Sequence, residues 1–146
     1  MPALTSSYET FEKPGLVAQY RLSNVKQYKG SLVAALTTGY AASITHTTAS
    51  LKFLGVAVET VDNSAGAAGD RGILIAKAGS FIFKCATGFT PTIADIGKEV
   101  YANTDWEVQV SVTGLTNLYK VGTITAIETT SNGQTGVRIR IDNYCV

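Results

Sequence analysis

The sequence predicts an all-β protein, a compact β-sandwich or barrel with an extended N-terminal arm and at most one short helical turn. Three observations carry that prediction. First, some segments alternate apolar and polar residues. Glu107-Val108-Gln109-Val110-Ser111-Val112-Thr113 sets three valines against four polar side chains, and Val137-Arg138-Ile139-Arg140-Ile141-Asp142 repeats the pattern with charges outside. Successive side chains of a strand point to opposite faces, so such segments are half-buried strands. Second, glycines, prolines and an Asn-Gly pair recur between the alternating segments, where turns are needed. Third, no stretch carries the 3.6-residue apolar period of an amphipathic helix.

Residues 1–15 are polar with scattered aromatics and end in Pro14-Gly15, a turn signal, which marks them as an arm ahead of a single β domain over 16–146. Strands are expected at 16–22, 31–37 and 40–47, the last with Ala42, Ile44 and His46 on one side and Ser43, Thr45 and Thr47 on the other. From Leu54 the pattern strengthens, with Leu54, Val56 and Val58 assigned to one face before a small-residue loop over 62–70. Two strands follow, 72–78 (Ile73 and Ile75 against Leu74 and Ala76) and 80–86 (Phe81, Phe83 and Cys85 against Ile82 and Lys84), divided by Gly79. Thr92-Ile93-Ala94-Asp95-Ile96-Gly97 reads as one helical turn stopped by glycine. A short strand at 98–102 turns at Asn103-Thr104-Asp105 into 107–113. Strand 119–127 breaks alternation in a way that places a bulge near Ala126. Ser131-Asn132-Gly133-Gln134 supplies a hairpin turn into the last strand, because Asn-Gly accommodates positive φ. The expected total is nine to ten short strands.

A chain of 146 residues makes one domain, long enough to bury a core without staples. Charged residues are only 16% of it and the net charge is +1. Direct nucleic-acid binding is therefore not expected, since phosphate neutralisation needs clustered Lys and Arg. Residues 1–52 hold five basic residues against Glu9 and Glu12, a local +3, and the remainder seven against nine, a local −2. This slight lean is within ordinary scatter. No run of about 20 apolar residues marks a membrane span. The first residues lack the basic and apolar regions of a secretory signal, so synthesis in a cytosol is expected. Cys85 and Cys145 form no metal or redox pattern and read as buried free thiols.

Catalytic, cofactor and metal sites are not expected. The loop with Asp62, Asn63 and Asp70 offers too few oxygens for calcium, which takes six to eight. Gly66, Gly69 and Gly72 mimic a phosphate cradle, but Ile73-Leu74-Ile75 opens a strand where a cradle opens a helix. His46 has no nucleophile or second histidine in its sequence neighbourhood and reads as structural. Asp105 and Glu107 beside Trp106 suggest glycosidase carboxylates, yet a hairpin shoulder gives no cleft in which they could converge. The residues best suited to a protein interface are Tyr8, Phe11, Lys13, Tyr20 and Trp106: spaced aromatics near an arm can order on a partner, and exposed Trp and Tyr commonly anchor interfaces.

One further pattern lies in the order of strands and glycines. A Gly55-Val56-Ala57-Val58 strand leads through the small-residue loop to the hairpin over 72–86, then Gly97-Lys98-Glu99-Val100-Tyr101-Ala102, Val121-Gly122-Thr123-Ile124-Thr125-Ala126 and Val137-Arg138-Ile139-Arg140-Ile141. Over residues 53–142 this resembles the capsid decoration, or cement, proteins of tailed bacteriophages, including those with a β-tulip-like domain. In the N-terminal third only Lys29-Gly30-Ser31-Leu32-Val33 loosely follows the pattern. The resemblance implies a homotrimer on the outside of an expanded phage head, contacting the major capsid protein through arm and loops and opposing internal DNA pressure. Two other classes fit an all-β chain without reactive chemistry. One is a phage tail or baseplate component, the other a carbohydrate-binding sandwich with Trp106 as stacking platform.

Overall fold

The computed structural model describes residues 16–142; the expected arm over 1–15, and Cys145, lie outside the described residues. The described chain is all-β, as predicted. Twelve strands run in the order Val17–Arg21 (β1), Lys26–Gln27 (β2), Leu32–Ala35 (β3), Ala41–Ser43 (β4), Lys52–Ala57 (β5), Val61–Asp62 (β6), Gly72–Ala76 (β7), Ala78–Cys85 (β8), Glu99–Ala102 (β9), Glu107–Gln109 (β10), Lys120–Thr129 (β11) and Thr135–Asp142 (β12). The excess over the expected number comes from β2 and β6, two-residue strands that pair with each other.

Strands β10, β8, β12, β11 and β9 close into a barrel, and β1, β7, β5, β3 and β4 form an open sheet in that order. The barrel follows from long alternating strands: in β12, Val137, Ile139 and Ile141 are buried while Arg138, Arg140 and Asp142 face solvent. Phe83 and Cys85 of β8 point inward and Ile82 outward, as the pattern predicts. Barrel residues share one core with Leu32, Ala34, Ile44, Leu51 and Val56 of the open sheet and its loops. A second core on the other side of that sheet joins Leu22, Val33, Ala41, Leu54, Ala57, Ile73 and Ile75, with Val61 of β6 and Val25 just ahead of β2 packed against it. Strand β3 lies between the two cores, so Leu32, Val33 and Ala34 are all fully buried. Each such side chain contributes roughly 1.5–3 kcal/mol on burial, Ala less.

Strand β5 departs from expectation. Leu54 belongs to the second core and Val56 to the first, so they do not share a face. The register against β3 shifts between Val33 and Ala34: Val33 faces Gly55 and Ala34 faces Phe53. The extra residue of this bulge turns the alternation over. Only glycine fits at position 55. Its φ is +147°, and a Cβ there would lie 2.1 Å from the carbonyl oxygen of Ala76. The bulge predicted in β11 is present: Ile124 faces Ile139 and Ala126 faces Arg138, with Thr125 as the extra residue.

Three other expectations are corrected. The strand expected over 107–113 ends at Gln109, and Val112 is 48% exposed. The buried Gln109 amide donates to the carbonyls of Ser111 (2.7 Å) and Thr113 (3.1 Å), folding the chain back on itself where alternation alone would extend it. Strand β4 stops at Ser43 rather than 47, because the backbone of His46 is engaged by Asn103 and Asn117. The β11–β12 hairpin closes by a Thr130–Gly133 turn with Gly133 alone at positive φ (+77°), a three-residue loop rather than the two-residue Asn-Gly type. The predicted helical turn is a 3-10 turn over Ile93–Asp95, closed by Gly97 at φ +87°. Asp95 accepts from Lys98 Nζ (2.9 Å) and from the Thr92 amide (2.8 Å), which together hold its carboxyl below the usual carboxylate range.

Replacing Gly55 with Ala is expected to destabilise the fold by about 3 kcal/mol or more, the strained φ and the clash both acting in the same direction. Urea unfolding measures this, and the same substitution at exposed Gly88, which has open space around it, should show only the cost of its positive φ.

Candidate functional site

The arrangement most able to present a contact surface is the seam where the three sheets meet. It starts with Gln27 at the end of β2, which is completely buried. A buried amide needs partners, and Gln27 Nε2 donates to Ser31 Oγ (2.5 Å) and Ser43 Oγ (3.0 Å). Ser43 Oγ in turn donates to Asp105 Oδ2 (2.9 Å), and Ser31 Oγ donates to the Tyr28 carbonyl (2.6 Å). The Leu32 amide donates to the Asp105 carbonyl (2.7 Å). One polar chain thereby ties the small sheet, the open sheet and the barrel's 103–106 turn. That turn is shaped by Thr104, whose Oγ1 accepts from the amides of Trp106 (3.4 Å) and Glu107 (3.2 Å).

Two aromatic side chains project from the segments this network fixes. Trp106 is 44% exposed and Tyr28 is 58% exposed. Each has a cation beside its ring: Lys84 Nζ lies 4.7 Å from the Trp106 centroid and Lys26 Nζ 5.1 Å from that of Tyr28. Lys84 also pairs with Glu107 (3.3 Å). On β8, Ile82 is exposed two residues from Lys84, beside Arg138, which pairs with Glu128. Trp106, Lys84 and Ile82 with the paired charges around them make an amphipathic patch, and Tyr28 projects from the neighbouring segment tied to it through Ser31 and Asp105. This face suits contact with a protein surface, because aromatic anchors ringed by neutralised charge lose little on desolvation.

Of the five residues singled out from sequence, Trp106 lies on this face. Tyr20 does not: it packs, half-buried, against the second core with Lys77 Nζ 5.2 Å from its ring. Tyr8, Phe11 and Lys13 lie outside the described residues. Tyr28 was missed. Its sequence signal is an aromatic residue directly ahead of Lys29-Gly30, with Gly30 at φ +85°, which puts it at the shoulder of a turn.

Other polar groups noted from sequence have structural partners. His46 Nδ1 accepts from the Thr116 amide (3.2 Å), and its carbonyl accepts from Asn117 Nδ2 (2.8 Å), joining the 45–50 and 113–118 loops. Asp105 and Glu107 are engaged by Ser43 and Lys84. In the 62–70 loop, Asp62 accepts from the Ser64 hydroxyl and amide, which lowers its pKa from the ordinary value, and Asp70 accepts from the Ala67 amide. Asn63 is buried and donates to the carbonyls of Ser23 (3.0 Å) and Ala67 (2.9 Å), pinning the loop. Among the described residues no three His, Cys, Asp or Glu side chains gather as a metal site. Burial pushes the Cys85 thiol up. No family model, curated protein or solved structure matches this chain.

Replacing Ser43 with Ala is expected to cost about 1–3 kcal/mol, since it strips a partner from the buried Gln27 amide. Thr47→Ala, on the exposed loop nearby, should stay within about 0.5 kcal/mol in the same denaturation experiment. In a Cys145→Ser chain, Cys85 should react with a disulfide reagent at pH 8 about 100-fold more slowly in the native state than in urea, because both burial and its raised pKa withhold the thiolate.

Proposed function

We propose that this chain is a structural decoration protein of a tailed-phage head, binding the outer surface of the expanded shell and bridging neighbouring major capsid subunits. The observation that carries this reading is the seam face, where Trp106, Tyr28 and Ile82 are held out from a body braced by a buried polar network. Such a face binds by surface complementarity and needs no reaction chemistry. The order of strands and glycines from Gly55 to Ile141 adds support. The chain would act as a homotrimer on the capsid exterior. Three linked copies raise effective concentration, so a modest contact per copy yields tight overall attachment, typically 10²–10⁴-fold beyond a single site.

The carbohydrate-binding alternative is weaker on one specific ground. Lys84 sits over the Trp106 ring and is itself held by Glu107, so a sugar stacking on that face of the ring would have to displace an ammonium group.

Mixed with expanded, undecorated heads, the intact chain is expected to co-sediment with them. Trp106→Ala should lower occupancy at limiting concentration by about tenfold or more, as for an interface anchor, with unchanged thermal stability. Failure of the intact chain to bind would overturn the proposal; full binding by the Trp106 variant would move the contact off the seam.

A further inference from the structure

A groove of about 710 Å³ runs between the start of β5 and the barrel corner formed by β9, β11 and the end of β12. Its walls include Leu51, Leu118, Tyr119 and Val121, and its rim carries Lys52, Lys120 and Arg140 together with Glu99 and Asp142. The groove is braced. The Leu51 amide donates to Tyr119 Oη (3.1 Å), and that hydroxyl donates to the Thr48 carbonyl (2.5 Å). Leu118 is nevertheless 52% exposed, a large apolar side chain at the mouth of a largely apolar slot.

We propose that the groove is the docking site of the chain's own N-terminal segment, residues 5–13. Topology brings that segment to it. The Leu16 carbonyl accepts from the Lys77 amide (2.8 Å), Lys77 is followed by Ala78, and Ala78 pairs with Asp142, which lines the groove. β1 and β5 both run antiparallel to β7, with Val17 and Val56 level at Ala76, so β1 is parallel to β5 and two strand positions from it. Traced backwards from Val17, the chain therefore heads toward the end of the molecule where Lys52 stands. The sideways step is about 10 Å, and four residues of extended chain cover about 13 Å. The chain ahead of Val17 is thus long enough to bring residues 8–12 to the groove.

Charge selects this occupant. On the rim, Lys120 pairs with Glu99 (3.1 Å) and Arg140 with Asp142 (3.4 Å), leaving Lys52 without an ion-pair partner among the described residues. Residues 5–13 bring Glu9 and Glu12, interleaved with the aromatic Tyr8 and Phe11, and end in Lys13, so the segment stays net negative by one charge. Residues 143–146, which follow Asp142 in the sequence, carry no charged side chain. An acidic segment with aromatic anchors matches an apolar slot with one uncompensated cation. A solvent-exposed pair of this kind contributes little on its own, so the aromatics supply most of the attachment and the charge sets its register.

The test uses the full chain with benzoylphenylalanine in place of Phe11. Illumination at micromolar concentration followed by peptide mass spectrometry is expected to give crosslinks to residues 51–53 or 118–123 within a monomeric band. Lys52→Glu should lower their yield about threefold or more. Crosslinks confined to a dimer band would assign the groove to a second copy and overturn the proposal. Crosslinks elsewhere on the body, or a yield indifferent to Lys52→Glu while removal of residues 143–146 raises it, would also overturn it, the latter by making those residues the occupant. None of these readouts depends on binding to a shell.

Discussion

The hydrogen-bond chain from Gln27 through Ser43 to Asp105 is the interaction on which the arrangement of the three sheets depends. Hydrophobic burial drives the sheets together but is not directional, and it alone would tolerate sliding of one sheet over another. A completely buried glutamine amide does not tolerate it, because a slip would strand its donors without water, at about 1–3 kcal/mol for each group left unpaired. Cores on both sides of β3 supply the cohesion, and the polar chain sets the register between the small sheet, the open sheet and the barrel.

Much of the fold was legible in the sequence because barrel strands with one solvated face obey period two. In β12 every second residue is buried, and the bulge near Ala126 announced itself as a break in that period. What was not legible has physical causes. In β5 both faces are buried, so Phe53, Leu54 and Val56 are all apolar and nothing in the pattern reports that the bulge at Gly55 turns the strand over. The valines of 107–113 kept a perfect alternation, but Gln109 satisfies its buried amide with local carbonyls and ends the strand. A side chain's preference for nearby backbone overrode the pattern there.

The candidate surface was only partly legible. Trp106 stood out as the single tryptophan beside a turn, and the structure leaves it exposed at the seam. Its companion Tyr28 lies 78 positions away in sequence from Trp106, and their common bracing through Ser31, Ser43 and Asp105 exists only once the sheets have assembled. The groove is less legible still, since Leu51, Leu118 and Asp142 come from three separate parts of the chain. Tyr20, an aromatic near the arm, packs partly buried against the second core, a placement that depends on the pairing of β1 with β7 and so is not visible in local sequence.

The central claim is that a braced β body presents its seam to a shell. An electron cryomicroscopy reconstruction of expanded heads incubated with the intact chain tests this most directly. The account predicts threefold-arranged density on the outer surface, with the 103–106 turn and Tyr28 against the capsid subunits. Bare heads, or bodies docked with the seam facing solvent, would contradict it.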